Sequence, residues 1–229
     1  MKRNGFVGTG TLFKLFLRRD RFLLPLWVFL PAVLGMFVAV TFSAMADQGM
    51  ASVLKEFNQD PLVSAILGPV MSFNLSGAIV WRGSSQLALV LAIGSLLTVI
   101  RHTRTDEETG RSELIRAYEV GPYANLTAAL LLTIIGNLLS GAMIACSIIA
   151  LGGETAGSFI FGGTMSVVGC FFAGIGALGV QLRENSGSAR GIGIAVAGLG
   201  VMMMIINNVV GGDSVLKWIS PMAWQRVTR

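Results

Sequence analysis

The sequence predicts an all-helical membrane protein: five transmembrane helices, an amphipathic interfacial helix ahead of them, and a charged helical loop between the second and third. Three observations carry this expectation. Hydrophobic residues fill 53% of the 229 positions and charged ones 13%, and a mean hydropathy of +0.72 places the chain in the membrane class. Five apolar runs are long enough, at about 1.5 Å per helical residue, to cross a hydrocarbon core of about 30 Å. None of them alternates every second residue as barrel strands do, and only helices or closed barrels satisfy their own backbone hydrogen bonds in lipid.

Taken in order, residues 1–21 form a cytoplasmic segment with six basic side chains, Lys2, Arg3, Lys14, Arg18, Arg19 and Arg21. Within it, Thr11 to Arg21 sets Leu12, Phe13, Phe16 and Leu17 on one side and Lys14, Arg18 and Arg21 towards the other, a pattern suited to a helix lying in the interface. An ordinary basic flank predicts the same charges. The first span, Phe22 to Met45, is too long for the roughly 7–15-residue core of a secretory signal, despite the small-x-small look of Ala44-Met45-Ala46. Pro61, Gly68, Pro69 and Gly77 break the following 46–82 stretch into short pieces, one of which could lie on the membrane surface. Arg82 beside Trp81 reads as an interfacial anchor. The remaining spans are Gly83 to Ile100, Tyr123 to Leu151, Ser158 to Leu182 and Gly191 to Val210, and residues 211–229 form a tail.

Orientation follows from Lys and Arg alone. With the amino terminus inside, cytoplasmic segments hold twelve and outer segments four. Residues 101–122 therefore face the cytoplasm, the tail lies outside, and 1–229 is a single transmembrane domain. Basic residues sit beside spans, which accounts for the net charge of +5 without nucleic acid.

Residues 101–122 collect nine of the 29 charged side chains and the only histidine, His102. Burying nine charges at the centre of a membrane would cost roughly 20–30 kcal/mol on insertion scales, so this stretch belongs in water or against protein. Thr105 and Glu108 have capping-box spacing, Glu107 with Arg111 and Glu113 with Arg116 are spaced for helical ion pairs, and Gly121-Pro122 ends the helix. A helix from Asp106 to Glu119 follows, with Leu114, Ile115 and Tyr118 as an apolar cluster in need of a partner. A plain solvated loop is the competing reading.

On those residues the chain resembles the type-2 ATP-binding-cassette (ABC) permeases, particularly the bacterial exporters of polyketide antibiotics of the tetronasin kind. The acidic pair Glu107-Glu108, the Gly110-Arg111 step and Glu113-Leu114-Ile115 carry the resemblance, with "GTGTLFKLFLRRDR" before the first span and "WISPMAW" near the end. It implies an elbow helix at the amino end and a coupling helix gripped by a separate ATPase subunit. Glu107, Glu108, Gly110, Arg111 and Glu113 would make the polar contacts, and Leu114, Ile115 and Tyr118 the apolar anchor. It also implies a second permease half or a homodimer, and an amphiphilic substrate such as an antibiotic, drug or lipid-like compound. Relatives of this type continue through a sixth span after the element matched by Ser220, Pro221 and Trp224, so the resemblance makes the chain a candidate fragment.

No Gly-x-x-x-x-Gly-Lys-Ser/Thr phosphate cradle occurs, so ATP would be bound by the partner and no cofactor by this chain. One histidine and two cysteines inside spans, Cys146 and Cys170, argue against a zinc site. Asp106, Glu107 and Glu108 suit helix-start electrostatics better than acid-base catalysis, and the chain is read as no enzyme. Gln86 and Asn137 are the pathway candidates inside spans, with Ser95 and Thr98 behind them; each could equally bond a neighbouring helix. Gly169, Ala173 and Ala177, and Gly193 with Ala197, are spaced for close helix packing. A non-transporting scaffold or immunity protein and an intramembrane enzyme are the alternatives from other classes.

Overall fold

A computed structural model of the chain describes residues 5–44, 49–73, 75–108, 110, 120–182, 185–210 and 216–226. Among them there is no strand. The helices are α1 (Thr9–Arg19), α2 (Leu23–Ala44), α3 (Met50–Gln59), α4 (Pro61–Leu67), α5 (Leu75–Ile100), α6 (Ala124–Ala150), α7 (Thr155–Leu182), α8 (Ser186–Val210) and α9 (Leu216–Ile219). Five helical stretches are long and apolar enough to cross a membrane: Leu23–Ala44, Ser76–Glu108, Ala124–Ala150, Thr155–Leu182 and Ser186–Val210.

Glycine decides how the spans meet, because apolar contact with lipid tails gives helices no net reason to associate and close backbone approach must supply it. On α6 and α7, a Cβ at Gly141 would strike the Gly162 carbonyl and the Ser166 hydroxyl, and one at Gly162 would strike the Gly141 carbonyl. Gly169 leaves room for the Asn137 side chain, and Gly193 for Leu96. Ala173 and Ala177 pack with Val99 of α5. The small-residue positions expected to pack are thus in the interior, and the Gly141–Gly162 contact adds a pair that spacing alone did not single out. The main core runs between α5, α6 and α7 through Leu91, Ile144, Met165 and Phe172. Phe29, Val33, Phe37 and Val40 of α2 and Ile194, Leu199, Met202 and Val209 of α8 point outward, as a lipid-facing surface requires.

Several expected bounds move: the helix of the fourth span begins at Thr155 rather than Ser158 and that of the fifth at Ser186 rather than Gly191. The second span begins at Leu75 rather than Gly83, so Gly77 lies inside a helix and breaks nothing. Trp81, beside the expected anchor Arg82, is 1% exposed, and its Nε1 donates to the Gly68 carbonyl at 2.7 Å. That bond folds the α3–α4 segment over the bundle end, where Asp60 caps α4 by accepting from the Leu62 and Val63 amides. At the carboxyl end, Ser220 donates to the Gly200 carbonyl at 2.8 Å, and Met222 and Ala223 join the main core. The described part of the tail therefore packs on the bundle instead of trailing from it.

α1 starts and ends two residues earlier than expected. Leu12 and Phe16 bury against Ala124, Ala128, Ala129 and Leu132 of α6. Leu17 is exposed instead of lying on the packed side, and Asp20, just beyond the helix, is buried. This helix rests on protein, with Lys14 and Arg18 outward.

Candidate functional site

The capping box expected at Thr105 and Glu108 does not form, because no helix starts there. α5 runs on through a π-helical stretch, Arg101–Thr105, into Asp106–Glu108, giving a continuous helix of 33 residues. At about 1.5 Å per residue it measures roughly 50 Å, so it outreaches a hydrocarbon core by about 20 Å. π-helical turns are costly, and they concentrate where side chains must be re-aimed. Here the turn carries His102 and Thr103 into the interior.

His102 is fully buried and stacked on Phe16 of α1, ring centroids 4.1 Å apart. Arg19 Nη2 lies 2.9 Å from His102 Nδ1. A guanidinium can only donate, so Nδ1 is the acceptor, the ring proton sits on Nε2, and Nε2 donates to Asp20 Oδ2 at 2.7 Å. Arg19 Nη1 also donates to both Asp106 oxygens, at 2.8 and 2.7 Å. Arg101 Nη1 stands 3.1 Å from Asp20 Oδ1, an ion pair without hydrogen-bond alignment. Two arginines and two aspartates balance around the ring. Burial pushes the Asp20 carboxyl up, but the His102 hydrogen bond and the charges of Arg101 and Arg19 outweigh it and hold the group below its ordinary value of 3.8.

The opposite flank of the same extension is tied to two other spans. Arg104 Nε donates to the Val180 carbonyl of α7 at 2.6 Å, and its Nη1 pairs with Glu107 at 2.5 Å. Glu108 accepts from the Ser186 amide and hydroxyl, both at 2.5 Å, at the first residue of α8. It is an N-cap supplied from a distant helix, and a carboxylate there also complements the helix dipole. Arg190 of α8 donates to Thr105 at 3.2 Å.

The far end of the loop is pinned too. The Gly121 amide donates to the Val7 carbonyl at 2.9 Å and the Tyr123 amide to the Gly5 carbonyl at 3.1 Å. Any side chain at Gly121 would run into the Gly5 backbone, so glycine is what the approach requires. Both roots of the 109–119 segment are therefore bound to the bundle.

Of the residues expected to contact a partner, Glu107 and Glu108 have their carboxylates engaged within the chain, and Gly110 sits in a turn at φ 71°. Arg111, Glu113, Leu114, Ile115 and Tyr118 lie outside the described residues. The pathway candidates are not brought together. Asn137 is fully buried, its amide exchanging hydrogen bonds with Ser95 at 3.0 and 2.9 Å, while Gln86 is exposed and lines a separate groove. Thr98 bonds back to the Gly94 carbonyl within its own helix.

No family model matches the chain. It is 36% identical over 99% of its length to a multidrug efflux system permease protein of Mycobacterium tuberculosis, and it spans 41% of that relative's length. The match runs through the α1 cluster, the α5 extension and the loop alike, since it leaves almost no residue uncovered.

Proposed function

We propose that this chain is permease material of an ATP-binding-cassette exporter. In this reading it moves an amphiphilic drug, antibiotic or lipid-like compound across a bacterial cytoplasmic membrane, beside a second permease half or a second copy. ATP is hydrolysed by a separate subunit that grips residues 101–122 from the cytoplasm. The observation that carries this reading is the near full-length similarity to an efflux permease. The doubly rooted loop supports the coupling part: a push on the 109–119 segment would reach α1 through Asp106 and Arg19, α7 through Arg104, and α8 through Glu108. Glu107 and Glu108 then anchor the lever, and the residues beyond Gly110 meet the ATPase.

The test is expression of the tagged chain in its native host, followed by purification through the tag and identification of any co-purifying ATP-binding-cassette ATPase. The ATPase should co-purify with the wild type and be lost from Leu114→Asp with Ile115→Asp, a variant that still inserts in the membrane. A wild-type chain that captures no ATPase at any detergent or lipid condition defeats the proposal.

A further inference from the structure

At the end of the bundle opposite the α5 extension, Arg82 stands about 10 Å along α5 from its start, where a span still passes through a polar-apolar boundary. Among the described residues it has no carboxylate partner. Its side chain is one wall of a groove of about 470 Å³ in which every other lining residue is uncharged, a size inside the ~300–1,000 Å³ range of small-molecule sites. Leu62 and Ile66 of α4 form a second wall and open outward at 74% and 55% exposure; Val201 and Met204 of α8 form the third. Asn208 of α8 donates to the Ala65 carbonyl of α4 at 2.7 Å, which holds those two walls together.

An arginine that merely snorkels to water needs no such enclosure. Trp81 next to it is sealed beneath Gly68, and the half-buried Arg82 stands beside Leu62 and Ile66 of α4 with no counter-charge among the described residues. An unpaired cation there is costly, and a phosphate lowers that cost through charge-assisted, bidentate contacts that guanidinium geometry favours. Ser85 and Gln86 in the same wall add hydrogen-bonding groups. We propose that this groove binds an anionic phospholipid of the adjoining leaflet, its phosphate on Arg82 and one acyl chain along α4 and α8.

The full chain, delipidated in detergent, is titrated with phosphatidylglycerol or with diacylglycerol of the same acyl chains, which lacks the phosphate, and read by native mass spectrometry. Wild type should retain phosphatidylglycerol with roughly tenfold preference, the ratio a single charge-assisted contact supplies. Arg82→Gln should bring the two lipids to parity, Arg82→Lys should keep most of the preference, and Lys55→Gln, removing a cation on α3 outside the groove, should leave it unchanged. Ile66→Trp, which fills the groove, should weaken both lipids while circular dichroism stays helical. Equal retention by wild type, or a preference that survives Arg82→Gln but falls with Lys55→Gln, overturns the site. A lipid-free dimer as the sole species would put a second copy over the groove and overturn it as well.

Discussion

Asp20 closes the buried cluster behind α1: it meets His102 and Arg101 at 2.7 and 3.1 Å, and the His102 ring joins it to Arg19. Removing one partner of a buried charge pair leaves the other uncompensated, a loss of about 3–5 kcal/mol. Asp20→Ala should accordingly lower the unfolding temperature far more than Arg18→Ala on the exposed side of α1, which differential scanning fluorimetry in detergent would resolve. The same carboxyl gives a pH dependence with a definite sign. Because its value is lower in the folded chain than the ordinary 3.8, its stabilising contribution is complete above that value and fades as pH falls through the folded one. Stability measured at descending pH should drop on the acid side, and Asp20→Asn should flatten that limb while starting from a lower plateau. A variant as acid-sensitive as the wild type would remove Asp20 from the account. The sequence held a hint of this residue, since Asp20 is the one acid among six bases before the first span. Charge counting treats such a residue as flank, and only the π-helical turn brings His102 round to meet it.

Among the elements, α6 and α7 form the least forgiving contact and the α5 extension the least expected one. Apolar runs located all five spans, because hydropathy measures the very transfer free energy that selects them. They misplaced the start of α5 by eight residues, since Arg82 looked like a boundary while helix and groove both continue past it. The loop was harder to read: its charges announced water, yet of the five described ones Arg104, Asp106 and Glu108 are spent on neighbouring helices and Arg101 on Asp20, and long-range pairing leaves no local spacing. Asn137 makes the bonds to neighbouring helices that stood as the alternative to a pathway role. Its side chain joins α6 to Ser95 of α5, and its backbone carbonyl accepts from Ser166 of α7 at 2.9 Å. Interhelical hydrogen bonds in membranes average near 0.6 kcal/mol and reach about 1.7, so Asn137→Leu, which must also fit beside Gly169, should reduce thermal stability. Substrate preference in a drug-resistance assay should not shift. Gly141→Leu should do worse, since it forces two backbones apart, and its loss of the folded fraction on size exclusion should exceed that of Gly163→Leu, where an added Cβ meets nothing within 4 Å beyond its own helix backbone.

For the whole molecule, the arrangement places a rigid root at each end of one segment and fastens those roots to different helices. On the proposed reading this makes two properties separable, partner binding and motion transfer. Binding belongs to residues 111–119, while transfer belongs to Arg104, Asp106 and Glu108, whose partners lie on α7, α1 and α8. Neutralising Glu108 and Arg104 together, as Glu108→Gln with Arg104→Gln, keeps a polar side chain at both positions and leaves the net charge of the extension unchanged while weakening two of the three ties. The ATPase should therefore still co-purify and hydrolyse ATP at its basal rate, yet substrate should no longer stimulate hydrolysis and export should fall by roughly tenfold or more, the effect of losing about 1.4 kcal/mol of coupling. If docking itself disappears in this variant, the extension is part of the ATPase contact and the division is wrong. Labelling a cysteine introduced at Ser112 from either side of intact cells supplies the topological check. Only a cytoplasmic face is compatible with an ATPase acting there, and an exterior label would leave the two rooted ends with nothing to transmit.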